Sequence, residues 1–481
     1  MSNNDDLHAL LSGARWFGGK GRPFQVTRAR RLGRLPGTAP QVAIDLVRVE
    51  YADGPGGHDL YQVPLSFYPE PQDRLSHALV GVWTDDDFGP SHVYDALHDR
   101  EAMALWLVGF NAGDELTGPL LFHRVPGHDL DLSTHSTLFT GEQSNSSVAF
   151  GEDAVMKVFR KITPGVNPDI AVHEVLTRAG SEHVAALYGW LDVVDEESDA
   201  VMQLAMLQQF LRTASDGWEL ALASVRNLYA EGDLYPDEVG GDFAGEARRL
   251  GIALRETHQV LAEHFPTATR DGDQLAELVA GMHRRLTDAL EVVPDMAEHE
   301  SALRAAFDQM GALGHVAVQQ VHGDLHLGQT LRTVKGWKIV DFEGEPAKPL
   351  AERLLPDSVW RDVAGMLRSF DYAPRVVAMD FPTGEGADQR SYRAKEWAAR
   401  NRAAFLDAYT DGAANQEDLV LLTAYLADKT VYEAAYEARN RPTWLAIPLA
   451  GLGGLAGMVD TVTESSQPYD LSNFGESGDR A

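Results

Sequence analysis

The stretch VHGDLHLGQTLR at residues 321–332 places two histidines, an aspartate and a glutamine within eight positions. Such residue types allow a metal site, a proton-transfer site or a packed turn without chemistry. His322 and His326 are four residues apart, as in a helical zinc site. However, Gly323 and Gly328 disfavour a helix here, and the pattern H-E-x-x-H is absent. We therefore interpret the two histidines as supports that hydrogen-bond and pack the loop, with metal binding as the weaker alternative.

The oxygen-bearing side chains of this region fit phosphoryl transfer. Transfer from ATP needs a carboxylate near the attacking hydroxyl and oxygen ligands for Mg²⁺. Asp324 is followed five residues later by Gln329, and Asp341 opens DFEGEP after the short run WKIV. We expect a loop and two strands to bring these side chains around one ion site, where oxygen ligands favour Mg²⁺ over zinc. Asp362, in the next predicted helix, either braces the loop backbone or is a solvated carboxylate.

A phosphate-binding lysine and a set of donors that cover the phosphates are expected upstream. Lys157 lies in the predicted strand AVMKVFR, after the segment GEQSNSS. That segment is not a glycine-rich loop of the type G-x-G-x-x-G. A lysine in a strand is usually a solvated edge residue. Lys157 is a candidate phosphate-binding residue only because it precedes Asp324 and Asp341 along the chain. The donors that would replace the glycine-rich loop are Ser144, Asn145, Ser146 and Ser147.

The composition limits the class of protein. The 481 residues are 44% hydrophobic and 23% charged, which is typical of a soluble protein with a large core. The absence of cysteine excludes disulfides, thiolate metal sites and a cysteine nucleophile. The net charge of −31 argues against a nucleic-acid partner. If the ligand is a nucleotide, Mg²⁺ must bridge its phosphates to the carboxylates of the protein. The alternative is that the acidity only keeps the protein soluble. We recognise no signal peptide or membrane span and expect a cytoplasmic protein.

The predicted elements fall into four segments. Residues 1–98 alternate short β-rich runs with turns and form a predicted N-terminal cap. Residues 99–211 add strands and the helix Pro168–Ala179, and they form the predicted nucleotide-binding part of an N-lobe. Residues 212–464 are predicted to be a mostly helical C-lobe with an inserted strand pair, and residues 465–481 a flexible tail. The predicted fold class is α+β, with the bilobal plan of a protein kinase and an added cap.

Several motifs resemble those of one family and keep their order along the chain. They include ARWFGGKGR, EQSNSS, MKVFRKITPGVNPD, VHGDLHLGQ, IVDFEGEP, PDSVWRDVAGMLRSFDYA and YEARNRPTWLAIPL. Together they are similar to the actinobacterial maltokinases over about residues 15–448. The resemblance implies an aminoglycoside-phosphotransferase-like fold, and phosphorylation of maltose by ATP and Mg²⁺ at the anomeric hydroxyl. The product, maltose 1-phosphate, would enter glycogen and α-glucan synthesis, with trehalose synthase as a partner and source of maltose.

The resemblance also implies roles for single residues. Asp324 matches the catalytic base, and Gln329 and Asp341 match the metal ligands. Lys157 matches the phosphate-binding lysine, and Gln143–Ser147 match the phosphate loop.

One departure from the family pattern concerns the first helix of the N-lobe. The family tends to have NPD-x-E, whereas this chain has NPDIAVHE, with Ala171 at the usual acidic position. Glu174 lies three residues further on, on roughly the same helix face. We therefore expect Glu174 to take part in the ATP site by pairing with Lys157.

The sugar site is expected in the helical C-terminal part. On the predicted helix YLADKTVYEAAYEARNRPTW, Tyr425, Lys429, Tyr432 and Tyr436 share one face, although such an aromatic stripe is more often core. The expected sugar-binding residues are Asp324, His322, Tyr432, Glu433, Tyr436, Arg439 and Trp444, with His326 and Asp362 as structural support. Two further hypotheses remain, namely a kinase for glucosamine or another monosaccharide on the same scaffold, and a catalytically silent pseudokinase.

Overall fold

The structure is a computed structural model of the chain. The residues it describes are 3–52, 57–116, 118–139, 141, 144–195, 197–231, 234–345, 348–381 and 386–464. The chain divides into two compact units, of which the first comprises Met1–Thr177 and Ala185–Arg212 and the second Arg178–Val184 and Thr213–Ala481. Gln143 of the predicted phosphate loop and the predicted tail at residues 465–481 lie outside the described residues.

The first unit is built from two antiparallel sheets and, within its described residues, three α-helices. Its strands are β1 (Phe24–Arg34), β2 (Gln41–Tyr51), β3 (His58–Tyr68), β4 (Leu79–Asp85), β5 (Gly89–Asp95), β6 (Leu120–Arg124), β7 (Ser136–Leu138), β8 (Ser146–Phe150), β9 (Ala154–Val158), β10 (Lys161–Ile162), β11 (Leu187–Val194) and β12 (Val201–Gln209). Its helices are α1 (Asn3–Gly13), α2 (Arg100–Ala112) and α3 (Pro168–Arg178).

The N-terminal sheet, called here the cap sheet, has the order β1-β2-β3-β5-β4, and β10 pairs with β3. Successive side chains of a strand point to opposite faces. In β2, Val47 therefore packs on the cluster that contains Leu7 and Leu11 of α1. Its neighbour Leu46 faces the cluster that contains Trp106 of α2. The cap sheet is thus covered on both faces, which explains why β2 is apolar over most of its length.

The second sheet of this unit has the order β6-β11-β12-β9-β8-β7 and is tied to the cap sheet. The Gln62 backbone N–H donates to Arg160 O at 2.9 Å, and Gln62 Nε2 donates to Phe159 O at 2.6 Å. Arg160 is buried, donates from Nε to Ser146 Oγ at 2.8 Å, and lies with its guanidinium 4.4 Å from the centre of the Trp16 ring. The short segment between β9 and β10 therefore belongs to both sheets.

The second unit is mostly helical and contains two small antiparallel sheets, β13-β16-β17 and β14-β15. Its strands are β13 (Ser215–Asp216), β14 (Ala268–Asp271), β15 (His315–Val318), β16 (Thr330–Thr333) and β17 (Gly336–Ile339). Its helices are α4 (Gly217–Ala230), α5 (Ala244–His264), α6 (Gly272–Val292), α7 (Glu300–Ala312), α8 (Leu350–Arg353), α9 (Trp360–Met379), α10 (Ala387–Thr410), α11 (Gln416–Asn440) and α12 (Ala446–Glu464).

Helices α9 and α11 form the centre of the second unit, because most of their side chains are buried. A capping box fixes the start of α11, where the Asn415 side chain accepts from the Asp418 backbone N–H and Asp418 accepts in return. In α5, a Cβ on Gly251 would lie 2.4 Å from Phe405 O, so glycine is what lets α5 approach α10. In the described part of the chain, no helix has the length and apolar character needed to cross a membrane.

Candidate active site

The loop between β15 and β16 is held in place by a buried carboxylate of α9. Asp362 accepts the backbone N–H groups of His322 at 2.7 Å and Gly323 at 2.8 Å, and His258 Nε2 lies 3.0 Å from its Oδ2. Burial alone would raise the pKa of Asp362, but His258 and the backbone donors hold it below its usual range. The carboxylate is therefore ionised and fixes the loop backbone at the residues just before Asp324.

His322 joins this loop to the end of β17. Its Nε2 lies 3.0 Å from Val340 O, and its Nδ1 accepts the backbone N–H of Asp324 at 3.3 Å. Because a carbonyl oxygen can only accept, Nε2 must carry a proton, whereas Nδ1, which accepts an N–H, must not. Both ring nitrogens of this neutral tautomer are therefore engaged within the protein. The prediction of His322 as a sugar-binding residue is therefore corrected, because the side chain is buried and already used within the loop.

A second layer of contacts packs the loop directly on α9. Arg361 donates from Nε to Gly323 O at 2.9 Å, and its Nη2 lies 2.8 Å from Glu345 Oε2. In the same helix, a Cβ on Gly365 would lie 2.4 Å from Leu325 O, so only glycine permits this approach. The sequence analysis did not single out Arg361, although its position next to Asp362 on the same helix was a usable signal.

The oxygen-bearing side chains that were predicted to bind a metal are close together. Gln329 Nε2 donates to Asp341 Oδ2 at 3.1 Å, and the Gln329 carbonyl accepts the Val340 N–H at 3.0 Å. Asp341 has a φ of 68°, a left-handed conformation that costs energy for a non-glycine residue and recurs at functional sites. Asp341 and Glu343 also bring carboxylate oxygens within 4.8 Å of each other. These all-oxygen donors suit Mg²⁺.

Asp324 forms an ion pair with a lysine of α11. Lys429 Nζ lies 3.1 Å from Asp324 Oδ1, and the two side chains remain 25% and 23% exposed. Burial alone would raise the pKa of Asp324, but the Lys429 ammonium outweighs it and lowers the pKa below its usual range. Burial also lowers the pKa of His326 beside it. At neutral pH the site therefore holds an aspartate anion, a lysine cation and a neutral histidine.

Asp324 lies at the wall of a cavity of about 800 Å³ in the second unit. The other predicted residues at this wall are His326, Tyr432, Glu433, Tyr436 and Trp444. The remaining charged and aromatic side chains of the lining are Asp216, Trp218, Glu219, Tyr372, Lys429, Glu437 and Arg441. The cavity thus combines aromatic faces with carboxylates, as a sugar site requires.

Besides His322, one predicted sugar residue lies outside this wall. Arg439 is exposed on the last turn of α11, whereas Arg441, just beyond the helix end, lines the cavity. Arg441 Nη2 lies 2.7 Å from Glu437 Oε1, and its guanidinium is 4.4 Å from the centre of the Trp444 ring. The structure therefore replaces Arg439 by Arg441, because the chain turns out of the helix at Asn440.

In the first unit, Lys157 is paired with a buried aspartate. Lys157 Nζ lies 2.9 Å from Asp169 Oδ2, and His173 Nδ1 lies 3.1 Å from the other carboxylate oxygen. Burial would raise the pKa of Asp169, but Lys157 and His173 hold it well below its usual range. The structure gives Asp169 the pairing that was predicted for Glu174. Glu174 is half-buried on the same helix, and its charge contributes to the raised pKa of His123.

The predicted phosphate-covering segment precedes and enters β8. Ser144 is exposed and Asn145 is half-buried. Ser146 and Ser147 are buried, and Ser146 Oγ accepts from Arg160 Nε at 2.8 Å. The Ser146 hydroxyl thus takes part in the junction with the cap sheet, and its role as a phosphate donor stays a prediction.

Comparisons with known proteins support a kinase assignment. Residues 11–99 match the family model described as the maltokinase N-terminal cap domain. A glucosamine kinase of Streptacidiphilus jiangxiensis is 31% identical over 339 residues, which cover 66% of this chain and 74% of that protein. A glucosamine kinase of Mycolicibacterium smegmatis (strain ATCC 700084 / mc(2)155) is 27% identical over 325 residues, which cover 66% of this chain and 78% of that protein.

A solved structure is similar to this chain in its fold. It is a glucosamine kinase in complex with glucosamine, ADP and inorganic phosphate, 23% identical to this chain, with a TM-score of 0.64. The match covers 92% of this chain and 97% of that one. The predicted α+β, protein-kinase-like fold class with an N-terminal cap and a helical C-terminal part is thereby confirmed.

Proposed function

This chain belongs to the maltokinase-like family of sugar kinases, and on that premise we propose that it transfers the γ-phosphoryl group of ATP to a hydroxyl of glucosamine. The observation that carries the proposal is Asp324. It is an ionised carboxylate, fixed by its loop, at the wall of a cavity of about 800 Å³ lined with aromatic and acidic side chains.

In the proposed reaction Asp324 binds the sugar hydroxyl and accepts its proton. Lys429 holds Oδ1, which leaves Oδ2 for the hydroxyl. As the bond between the sugar oxygen and the γ-phosphorus forms, the bond to the ADP oxygen breaks and the hydroxyl proton passes to Oδ2. Phosphoryl transfer relies mainly on positioning and charge stabilisation, so a fixed, ionised carboxylate is sufficient as a base.

The same proposal assigns the nucleotide and metal residues. Gln329, Asp341 and Glu343 would hold Mg²⁺, which neutralises phosphate charge when it is bound. In the first unit, Lys157 would bind the phosphates while Asp169 fixes its ammonium group. The exposed backbone around Ser144 and Asn145 would supply further donors. We place this activity in the cytoplasm.

The charge of the cavity wall favours an amino sugar. Glu433 and Glu437 are paired with arginines, at 2.8 Å and 2.7 Å. Asp216 and Glu219 line the same cavity and have no basic side chain within ion-pair distance among the described residues. The ammonium group of glucosamine would gain from these two carboxylates, whereas a neutral sugar would not. The curated relatives named as glucosamine kinases point to the same substrate.

Maltose is the second candidate, favoured by two observations. The N-terminal region matches the maltokinase cap domain. The cavity also carries five aromatic side chains, enough to cover the faces of two sugar rings. Under this alternative the product would be maltose 1-phosphate, a precursor for α-glucan synthesis, and trehalose synthase would be the partner that supplies maltose. The five aromatic residues are Trp218, Tyr372, Tyr432, Tyr436 and Trp444.

A sugar panel distinguishes the two candidates. The purified chain is assayed with ATP and Mg²⁺ on glucosamine, glucose, N-acetylglucosamine and maltose, and the phosphorylated position is located by NMR. We expect kcat/KM for glucosamine to exceed that for glucose by about tenfold or more, because a charged hydrogen bond is lost with glucose. Glu219→Gln should reduce this ratio and leave the glucose value unchanged. Preferential formation of maltose 1-phosphate would instead establish the second candidate.

A further inference from the structure

The second unit contains another cavity, of about 420 Å³, among helices α9, α10, α11 and α12. Its lining is basic, although the chain as a whole has a net charge of −31. The charged residues of the wall are Arg368, Asp371, Arg375, Lys395 and Arg402. Neither the mechanism nor the sugar site uses this concentration of positive charge.

Arg368 is the most buried of these cations, with its side chain 3% exposed. Its Nε donates to Glu433 at 2.8 Å and its Nη1 to Asp371 at 3.1 Å. Among the residues that the structure describes, Nη2 of Arg368 has no hydrogen-bond partner. A guanidinium offers five donors in a fixed plane, and a buried donor without an acceptor costs free energy. Arg368, a residue of the cavity lining, therefore has one donor that lacks an acceptor.

Two further cations at this wall have no carboxylate within ion-pair distance among the described residues. Arg375 is half-buried and Lys395 is exposed, and within the described chain neither makes a hydrogen bond or ion pair. Burial lowers the pKa of Arg375, as expected for a cation without sufficient compensation. By contrast, Arg402 is bound to Asp371 at 3.1 Å. The charged residues of the lining thus comprise four cations and a single carboxylate, Asp371.

The helix opposite these side chains approaches them through glycines. A Cβ on Gly451 would lie 2.5 Å from Arg368 Nη1, so the helix can lie on the guanidinium only with glycine there. At Gly453 and Gly454, which line the same cavity, a Cβ would meet no atom within 4 Å. The space in front of the arginines therefore stays open.

We propose that this cavity is a binding site for a phosphate-type oxyanion, held by Arg368, Arg375 and Lys395. Guanidinium groups match the geometry of phosphate oxygens, and an anion would supply the acceptors that this wall lacks. The source is either inorganic phosphate or the phosphate group of a sugar monophosphate. Arg368 also binds Glu433, which lines the sugar cavity, so the two cavities share one ion pair.

The test is a titration of the full chain with inorganic phosphate, with glucosamine 6-phosphate and with chloride, in which binding is measured by calorimetry and ³¹P NMR. No nucleotide is present, and the variants change only this cavity, so the phosphate binding that they lose does not depend on the identity of the substrate. We expect the double variant Arg375→Gln, Lys395→Gln to weaken phosphate binding about tenfold or more. Lys157→Gln is the matched control, because it removes a cation of the proposed ATP site and should leave this binding event intact.

A second variant covers the case in which the double variant does not fold. Gly454→Asp adds a carboxylate at the open wall and should weaken the same binding event. The binding that the cavity variants lose identifies the ligand: a larger loss for glucosamine 6-phosphate than for inorganic phosphate indicates a sugar phosphate, and equal losses indicate inorganic phosphate. The proposal fails if phosphate affinity is unchanged in both cavity variants, or if chloride at equal ionic strength abolishes binding.

Discussion

Each unit contains a lysine–aspartate pair, and the two pairs differ in burial rather than in distance. In the first unit Lys157 and Asp169 are 2.9 Å apart, with side chains 13% and 2% exposed. In the second unit Lys429 and Asp324 are 3.1 Å apart, with side chains 25% and 23% exposed. In both cases burial would raise the pKa of the carboxyl group and the lysine lowers it.

The difference separates a pair that holds a side chain in place from a pair that is available for chemistry. Asp169 uses both carboxylate oxygens, because His173 lies 3.1 Å from the one that Lys157 does not bind. Asp324 uses one oxygen for Lys429 and lies at a cavity wall. We infer that Asp169 serves to orient Lys157, and that Asp324 meets the substrate.

The largest expected effect comes from Asp324→Asn. The amide keeps the shape of the carboxylate but cannot accept the hydroxyl proton, so kcat should fall by about 10³-fold. The melting temperature should change little, because Asp324 is partly exposed and its loop is held by Asp362. Turnover and thermal unfolding are measured on the same preparation. Turnover close to that of the wild type would exclude Asp324 as the base.

The counterpart, Asp169→Asn, should act on stability. It removes one carboxylate partner of the Lys157 ammonium in a largely buried position, which costs about 3–5 kcal/mol of unfolding free energy. Urea unfolding gives this value. Adding Lys157→Met should recover much of the loss, because the uncompensated charge is then removed. If Asp169→Asn is as stable as the wild type, the contrast between the two pairs is lost.

The smallest expected effect is a shift in pH dependence. The lowered pKa of Asp324 predicts an acid limb of kcat/KM below about pH 4, the usual value for aspartate. The stability contributed by its ion pair is likewise present above that pH and is lost as the pH falls through the folded-state value. Lys429→Met removes the main favourable charge, so the limb should move up by about one pH unit. Lys429→Arg keeps the charge and should not shift the limb.

The loop that carries Asp324 was predictable because its signals are local. The spacing of Asp324, Gln329 and Asp341 lies within 18 residues, and a glycine-containing loop followed by two strands has few ways to fold. The helix predicted at Pro168–Ala179 is observed at Pro168–Arg178, because an Asn–Pro start and a following glycine are strong boundary signals.

The partners of these residues were harder to predict because they depend on tertiary packing. Lys429 lies 105 residues from Asp324, and no sequence spacing connects them. Asp169 rather than Glu174 reaches Lys157, because Asp169 lies on the N-terminal turn of α3. The amino-acid sequence alone does not give the distance from that turn to β9. Arg441 replaces Arg439 because the end of α11 determines which side chain turns towards the cavity.

The strand β10 has a consequence for exchanging parts between relatives. The region that matches the cap domain ends at residue 99, yet the cap sheet is completed by Lys161 and Ile162 on the edge of β3. A chimera joined at residue 99 would therefore pair one protein's β3 with another protein's β10, and would bring Gln62 against a foreign Phe159–Arg160 segment. Recombination of caps among these kinases is thus constrained by the few residues that follow Lys157, far from the apparent boundary in the sequence.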